Sequence, residues 1–332
     1  MFILHLLAAS FAMGAQAQTA KRPLNVFVVD IASAAPALDA FAKESAVFEQ
    51  ALSPSPWCPA ARATLLTGQP PEIHGLYVPS GRLPASLPTL AEKLKDAGFD
   101  TAAFVEAGAW PTTWGLERGF DVFEVGASTH AVAAWLQGRT GRRFFLYVQR
   151  PAEQGVIDQL KALGRWDDTL AALTAACGKS GREGLYEAAL RVPLLLRRPP
   201  SSGERIDALV GLSDLAPTAL EAAGVPAAGM EFSGRSLLPL LKNPSARWRE
   251  AVFASARSRP GLVLDQRSVR TRRWKLHWYL YKDAFELYDL KNDPGEERDL
   301  SRQRPDIVKT LSFQLLRNLE LNRPHAPGPD RP

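Results

Sequence analysis

Leu24-Asn25-Val26-Phe27-Val28-Val29-Asp30 is a nearly unbroken apolar run that ends on an acid. A strand covered on both faces needs such a run, because neither face offers water to a polar side chain. Outward from it, Leu90–Ala97 has helical spacing and stops at Gly98. Thr101–Val105, Phe144–Val148 (FFLYV) and Val192–Leu196 (VPLLL) read as further strands. Pro36–Glu49 sets Leu38, Phe41, Ala42 and Phe48 at roughly helical spacing and is expected to be a helix. Strands alternating with helices predict an α/β fold with a mostly parallel central sheet.

The pattern changes near residue 245. Val252–Ser255, Val263–Leu264, Ser268–Thr271, Lys275–Tyr281 and Phe285–Tyr288 are short strand-like pieces between turns, and Asp306–Leu321 returns to helical spacing. The expected organisation is an α/β core over 22–245, a small antiparallel sheet and helix over 246–321, and a Pro-rich, disordered tail over 322–332. Residues 1–17 read as a signal peptide. Phe2–Met13 is mostly apolar, and Ala15-Gln16-Ala17 has the small-x-small form of a cleavage site, although a basic start is lacking. The other reading of this segment is a buried N-terminal helix. Cleavage implies a periplasmic or secreted protein. No run of 18 apolar residues follows the first twenty, so no membrane span is expected.

The formal charge of +5 favours an anionic partner, and no nucleic-acid motif accompanies it. Two cysteines, Cys58 and Cys177, are too few for a disulfide framework.

Cys58-Pro59-Ala60-Ala61-Arg62, continuing Ala63-Thr64-Leu65-Leu66-Thr67-Gly68, resembles the signature of the sulfatase family. The resemblance extends in order through His74-Gly75-Leu76-Tyr77, Leu87–Glu106, Gly115–Phe123, Tyr186-Glu187, Arg191-Val192-Pro193-Leu194, Leu212–Gly224, Gly234–Leu241, Val269–Leu276 and Glu286–Leu300. It implies an alkaline-phosphatase-like α/β/α sandwich. It also implies a sulfuric ester hydrolase whose Cys58 is oxidised to formylglycine, the nucleophile, with Arg62 steadying that group and the sulfate. A sulfated small molecule or glycan would be the substrate. Because sulfate esters repel a nucleophile, the family adds a divalent metal, usually calcium, in an oxygen-rich shell.

Against that pattern, this chain departs at most strand ends. The first strand ends Asp30-Ile31 where the family has Asp-Asp, so Asp30 is the one metal ligand that survives. Ala175-Ala176-Cys177-Gly178 stands where Ser-Asp-His-Gly or Ser-Asp-Asn-Gly is usual. Gln149-Arg150-Pro151-Ala152 replaces a His-bearing turn, and Glu106 and Ala107 replace a Lys-x-His pair, whereas Arg182, in place of a lysine, is expected still to bind the anionic substrate. The stretch between Gln149 and Ala175 is short for the family. Losing a general acid or base costs about 10²–10⁴-fold in rate. The expectation is therefore a weak or inactive hydrolase with doubtful calcium. The alternative is a non-catalytic pseudosulfatase that binds an anionic ligand or a protein partner. A phosphatase or phosphonate ester hydrolase on the same fold needs the same metal. His74, at a loop position, and His277, half-buried on a strand, are assigned structural roles. Cys177 has two readings: a small buried filler, or a partner of Cys58 in a disulfide or redox-sensitive pair, which requires Cα atoms within about 7 Å.

Overall fold

A computed structural model describes residues 24–31, 37–108, 110–139, 141–149, 153–178, 184–200, 203–257 and 265–322. The expected leader, Val263–Leu264, Arg182, the Arg150-Pro151-Ala152 turn and 323–332 lie outside these residues.

The central sheet holds β1 (Asn25–Asp30), β2 (Ala46–Leu52), β3 (Asp100–Val105), β4 (Val122–Val125), β5 (Phe144–Gln149), β6 (Thr169–Thr174), β7 (Leu194–Arg197) and β8 (Arg205–Gly211). Their spatial order is β4-β3-β5-β1-β6-β7-β2-β8. All neighbours run parallel except β7, which is antiparallel to both β6 and β2. Every residue of β1, β5 and β6 is buried, the outcome that an unbroken apolar run requires.

Ten helices accompany the two sheets among the described residues: α1 (Ala37–Ala42), α2 (Cys58–Thr67), α3 (Pro71–His74), α4 (Leu90–Asp96), α5 (Thr129–Gln137), α6 (Glu153–Ala162), α7 (Glu187–Leu190), α8 (Leu215–Ala223), α9 (Leu238–Lys242) and α10 (Pro305–Leu321). Two have legible ends. Thr89 and Glu92 cap each other's backbone at the start of α4. Gly68 closes α2 at φ 68°, and a Cβ there would lie 2.4 Å from the Phe232 ring.

The second sheet is antiparallel, with β9 (Ala251–Ala256), β10 (Gln266–Thr271), β11 (Trp274–Tyr279) and β12 (Ala284–Asp289) in the order β12-β11-β10-β9. Strand alternation gives it two unlike faces. On one, Val269, Leu276 and Leu287 pack against Leu311 and Leu315 of α10. On the other, Lys275, His277 and Tyr279 meet Glu187, Glu296, Tyr186 and Glu286 in an ionic and aromatic network.

Several expectations are corrected. The helix expected over Pro36–Glu49 stops at Ala42, and Ala46–Leu52 is a strand that pairs with β7 and β8. Helical spacing across four positions is weak, and pairing of β2 with its neighbours in the core decides the outcome. The strand expected over Lys275–Tyr281 ends at Tyr279 and turns through a short 3₁₀ segment. The strand expected over Val192–Leu196 spans Leu194–Arg197. Strands β4, β6 and β8 carried no strand assignment from sequence.

Candidate active site

In an open α/β sheet, ligand-handling groups gather outside the carboxyl ends of the parallel strands. Here that region is formed by the ends of β1, β5 and β6 and the start of α2. Cys58 is the first residue of α2, after Trp57, which offers no side-chain cap. Residues Pro59–Thr67 are all buried, so the helix is fixed along its length, while Cys58 itself stays half-exposed.

Cys58 is bonded to Cys177 through a disulfide with Cα atoms 5.0 Å apart. Cys177 is thus a half-exposed cross-link and not a buried filler. Its flanks are held independently of the sulfur bond. The Ala176 N–H donates to Asp30 Oδ1 at 2.9 Å, the Ala176 carbonyl accepts from Ser53 Oγ at 2.8 Å, and the Gly178 N–H donates to the Ala189 carbonyl at 3.0 Å. The close approach at Gly178 requires glycine, since a Cβ would stand 2.6 Å from the Ala188 carbonyl oxygen.

Asp30, at the end of β1, is 2% exposed. Its Oδ2 accepts from Arg62 Nε at 2.7 Å and from Tyr147 Oη at 2.9 Å, and its Oδ1 takes the Ala176 N–H. Burial opposes the Arg62 charge, but Asp30 and then Tyr147 outweigh it and hold the guanidinium above its ordinary value. Burial, then the Asp30 charge, pushes the Tyr147 phenol well above its usual range. Trp110 closes over this group. Its ring centroid is 4.9 Å from that of Tyr147 and 5.9 Å from the Arg62 guanidinium carbon. Ser53, Trp110 and Tyr147 were not singled out from sequence. The only signal for Tyr147 is a hydroxyl inside an otherwise apolar strand, and Trp110 lies in a loop with no periodicity.

Calcium does not fit these residues. Among the described residues, Asp30 is the one carboxylate at the carboxyl ends of β1, β5 and β6. Both of its oxygens are occupied by N–H and O–H donors, one of them the Arg62 guanidinium, which already balances its charge. Ile31, Ala176 and the bonded Cys177 supply no hard oxygen ligand from their side chains. Among the described residues, no group of three or more His, Cys, Asp or Glu side chains could hold a metal ion.

The two described histidines assigned structural roles are buried more deeply than expected. His74 ends helix α3 rather than lying in a loop, and it is fully buried. Its Nδ1 accepts from the Leu76 N–H, which leaves the proton on Nε2, facing Thr64 Oγ1 at 3.1 Å. Burial drives its pKa down to about 3. His277 is fully buried rather than half-buried, and its Nε2 lies 2.9 Å from Glu296. Burial pushes its pKa down, against the pull of Glu296.

Residues 26–148 match the Sulfatase family model, and residues 181–321 match the family model described as N-sulphoglucosamine sulphohydrolase, C-terminal. The chain is 32% identical over 160 residues to an N-acetylglucosamine-6-O-sulfatase of Bacteroides thetaiotaomicron, a match covering 44% of this chain and 28% of the relative. It is 32% identical over 146 residues to arylsulfatase K of Rattus norvegicus, covering 40% of this chain and 25% of the relative. The matched stretch thus spans about a quarter of the length of these curated relatives. Among solved structures, an enzyme in complex with its substrate D-glucosamine-2-N,6-O-disulfate superposes with a TM-score of 0.78 at 17% identity, covering 94% of this chain and 100% of that one. The phosphonate monoester hydrolase of Silicibacter pomeroyi superposes with a TM-score of 0.77 at 18% identity, covering 92% and 96%. At such identities the likeness speaks for the fold alone.

Proposed function

The chain belongs to the sulfatase family, and from that premise we propose that it is a non-catalytic member, which binds an anionic, sulfated small molecule or glycan without cleaving it. The observation that carries this reading is the Cys58–Cys177 disulfide. A sulfur in a disulfide has no thiol to be oxidised to formylglycine and no lone nucleophile. The Arg62 guanidinium is turned onto Asp30 and shielded by Trp110, so its charge is neutralised where a sulfate would sit. Without a metal shell, the described residues at the ends of β1, β5 and β6 offer no unpaired cation to offset the charge of an incoming anion.

Binding is supported by the charge of +5 and by a cleft of about 380 Å³ between the central sheet and the C-terminal elements. The cleft is lined by Thr64, Ser213, Arg235, Arg249, Asn318 and Asn322, among others. The Arg235 side chain is exposed and has no ion-pair partner among the described residues. Relatives described as sulfatases of glucosamine units make a sulfated sugar the first ligand to try.

Mass spectrometry of the native protein, digested under non-reducing conditions, checks the central point. The expected result is a linked pair of peptides carrying Cys58 and Cys177, with no turnover of 4-nitrophenyl sulfate. Formylglycine at position 58 together with turnover would make the protein an active sulfuric ester hydrolase instead.

A further inference from the structure

The same disulfide has the construction of a reversible exchange site. We propose that Cys58–Cys177 undergoes thiol–disulfide exchange with a dithiol, such as the paired cysteines of a protein reductant. This rests on the reading that Cys58 remains a cysteine.

Three observations carry it. First, both half-cystines are partly exposed although the segments they belong to are buried: Pro59–Thr67 on one side, Ala175 and Ala176 on the other. A purely structural cross-link in such surroundings gains from being sealed, whereas an exchange site must be reached. Second, the backbone around each sulfur is held without the sulfur bond. Cys58 is anchored by α2, and Cys177 lies between Ala176, bonded to Asp30 and Ser53, and Gly178, bonded to Ala189. After reduction those hydrogen bonds remain, so the two thiols stay adjacent and can reclose. Third, Cys58 opens a helix of ten residues whose first turn has no side-chain cap. The positive end of that helix favours a thiolate there, which makes Cys58 the better leaving group.

The step balances as follows. A thiolate of the dithiol attacks Cys177 Sγ, the Cys58–Cys177 bond breaks, and Cys58 departs with the electron pair as a thiolate. The second thiol of the reductant then attacks the mixed disulfide and releases Cys177. Two electrons have passed to this chain, its two sulfurs take up two protons, and the dithiol leaves as a disulfide.

The test uses the full chain in its oxidised form, treated with dithiothreitol without denaturant and then with a maleimide. The expected result is one label on each cysteine with unchanged far-UV circular dichroism, and return of the linked peptide when the reductant is replaced before labelling by oxidised glutathione, which takes up the two electrons and leaves as reduced glutathione. Brief exposure to glutathione followed by rapid alkylation should place glutathione on Cys177 and the alkyl group on Cys58. Labelling that appears only when the protein unfolds would overturn the proposal and leave a structural staple. Glutathione found on Cys58 instead would overturn the stated direction of attack. If the peptide carries formylglycine, the proposed function fails with it. A disulfide that is present but inert sinks only the exchange.

Discussion

Arg62 and Asp30 are each other's charge partner in a place with almost no water, at 8% and 2% exposure. Removing one member of such a pair leaves the other charge buried and unmatched. Arg62→Ala is expected to destabilise the protein by about 3–5 kcal/mol, read as a shift in the urea midpoint. His74 gives a pH signature. Its pKa is about 3 in the folded protein against 6.5 for the ordinary group, so the unfolded chain takes up the proton first as pH falls. The stability tied to neutral His74 is complete above the unfolded value and declines below it, by about 1.4 kcal/mol per pH unit. Urea titrations at pH 7, 6 and 5 should show this slope in the wild type and a shallower one in His74→Gln. An equal slope in both proteins would exclude His74 as its source. At this scale the sequence identified Cys58, Arg62 and Asp30 by resemblance, and the structure brings them into one small group. It could not show that Arg62 faces Asp30, because that depends on β1 and α2 meeting across 32 residues of chain. Tyr147 and Trp110 were hidden for the same reason: their roles come from neighbours and not from any local pattern.

Gly178 ties the Cys177 segment to α7 through a contact that excludes even a methyl group. Gly178→Ala must push Cys177 away from Ala188 and Ala189. The expected cost is about 1–3 kcal/mol, as for other overpacked sites, with slower reclosure of the disulfide after reduction. Leu315 is 1% exposed between α10 and the second sheet. Leu315→Ala should cost about 2–5 kcal/mol, measured by thermal or chemical denaturation. The elements most legible in sequence were those whose pattern is self-sufficient: the wholly buried β1 and β5, α4 with its capping box, and the amphipathic α10. β2 is not legible in sequence because Val47 and Phe48 fit either period, and pairing with β7 and β8 decides between them. β8 alternates only over exposed Arg205 and Asp207 and buried Ile206 and Ala208, and Leu209 and Val210 are then both buried, so its pattern is too short to mark a strand.

For the molecule as a whole, the cross-link joins positions 119 residues apart. Closing so long a loop restricts the unfolded chain, and by the chain-entropy argument reduction should lower stability by about 4–5 kcal/mol, a difference between denaturation curves with and without dithiothreitol. Added calcium or a chelator should leave the melting temperature unchanged, since ligand stabilisation requires a site that binds. A calcium-dependent rise would show that the strand ends rearrange around an ion. Sequence order and spatial order also differ sharply here. β2 is made early, yet its sheet neighbours β7 and β8 come from Leu194–Gly211. While the chain is being synthesised, β2 therefore waits without a partner until most of the protein has emerged, and β1 waits for β5 and β6. The N-terminal third cannot settle as a unit of its own, and Cys58 meets Cys177 only late. A chain truncated before Leu194 is left with an unpaired apolar strand, a template for aggregation rather than a folding intermediate.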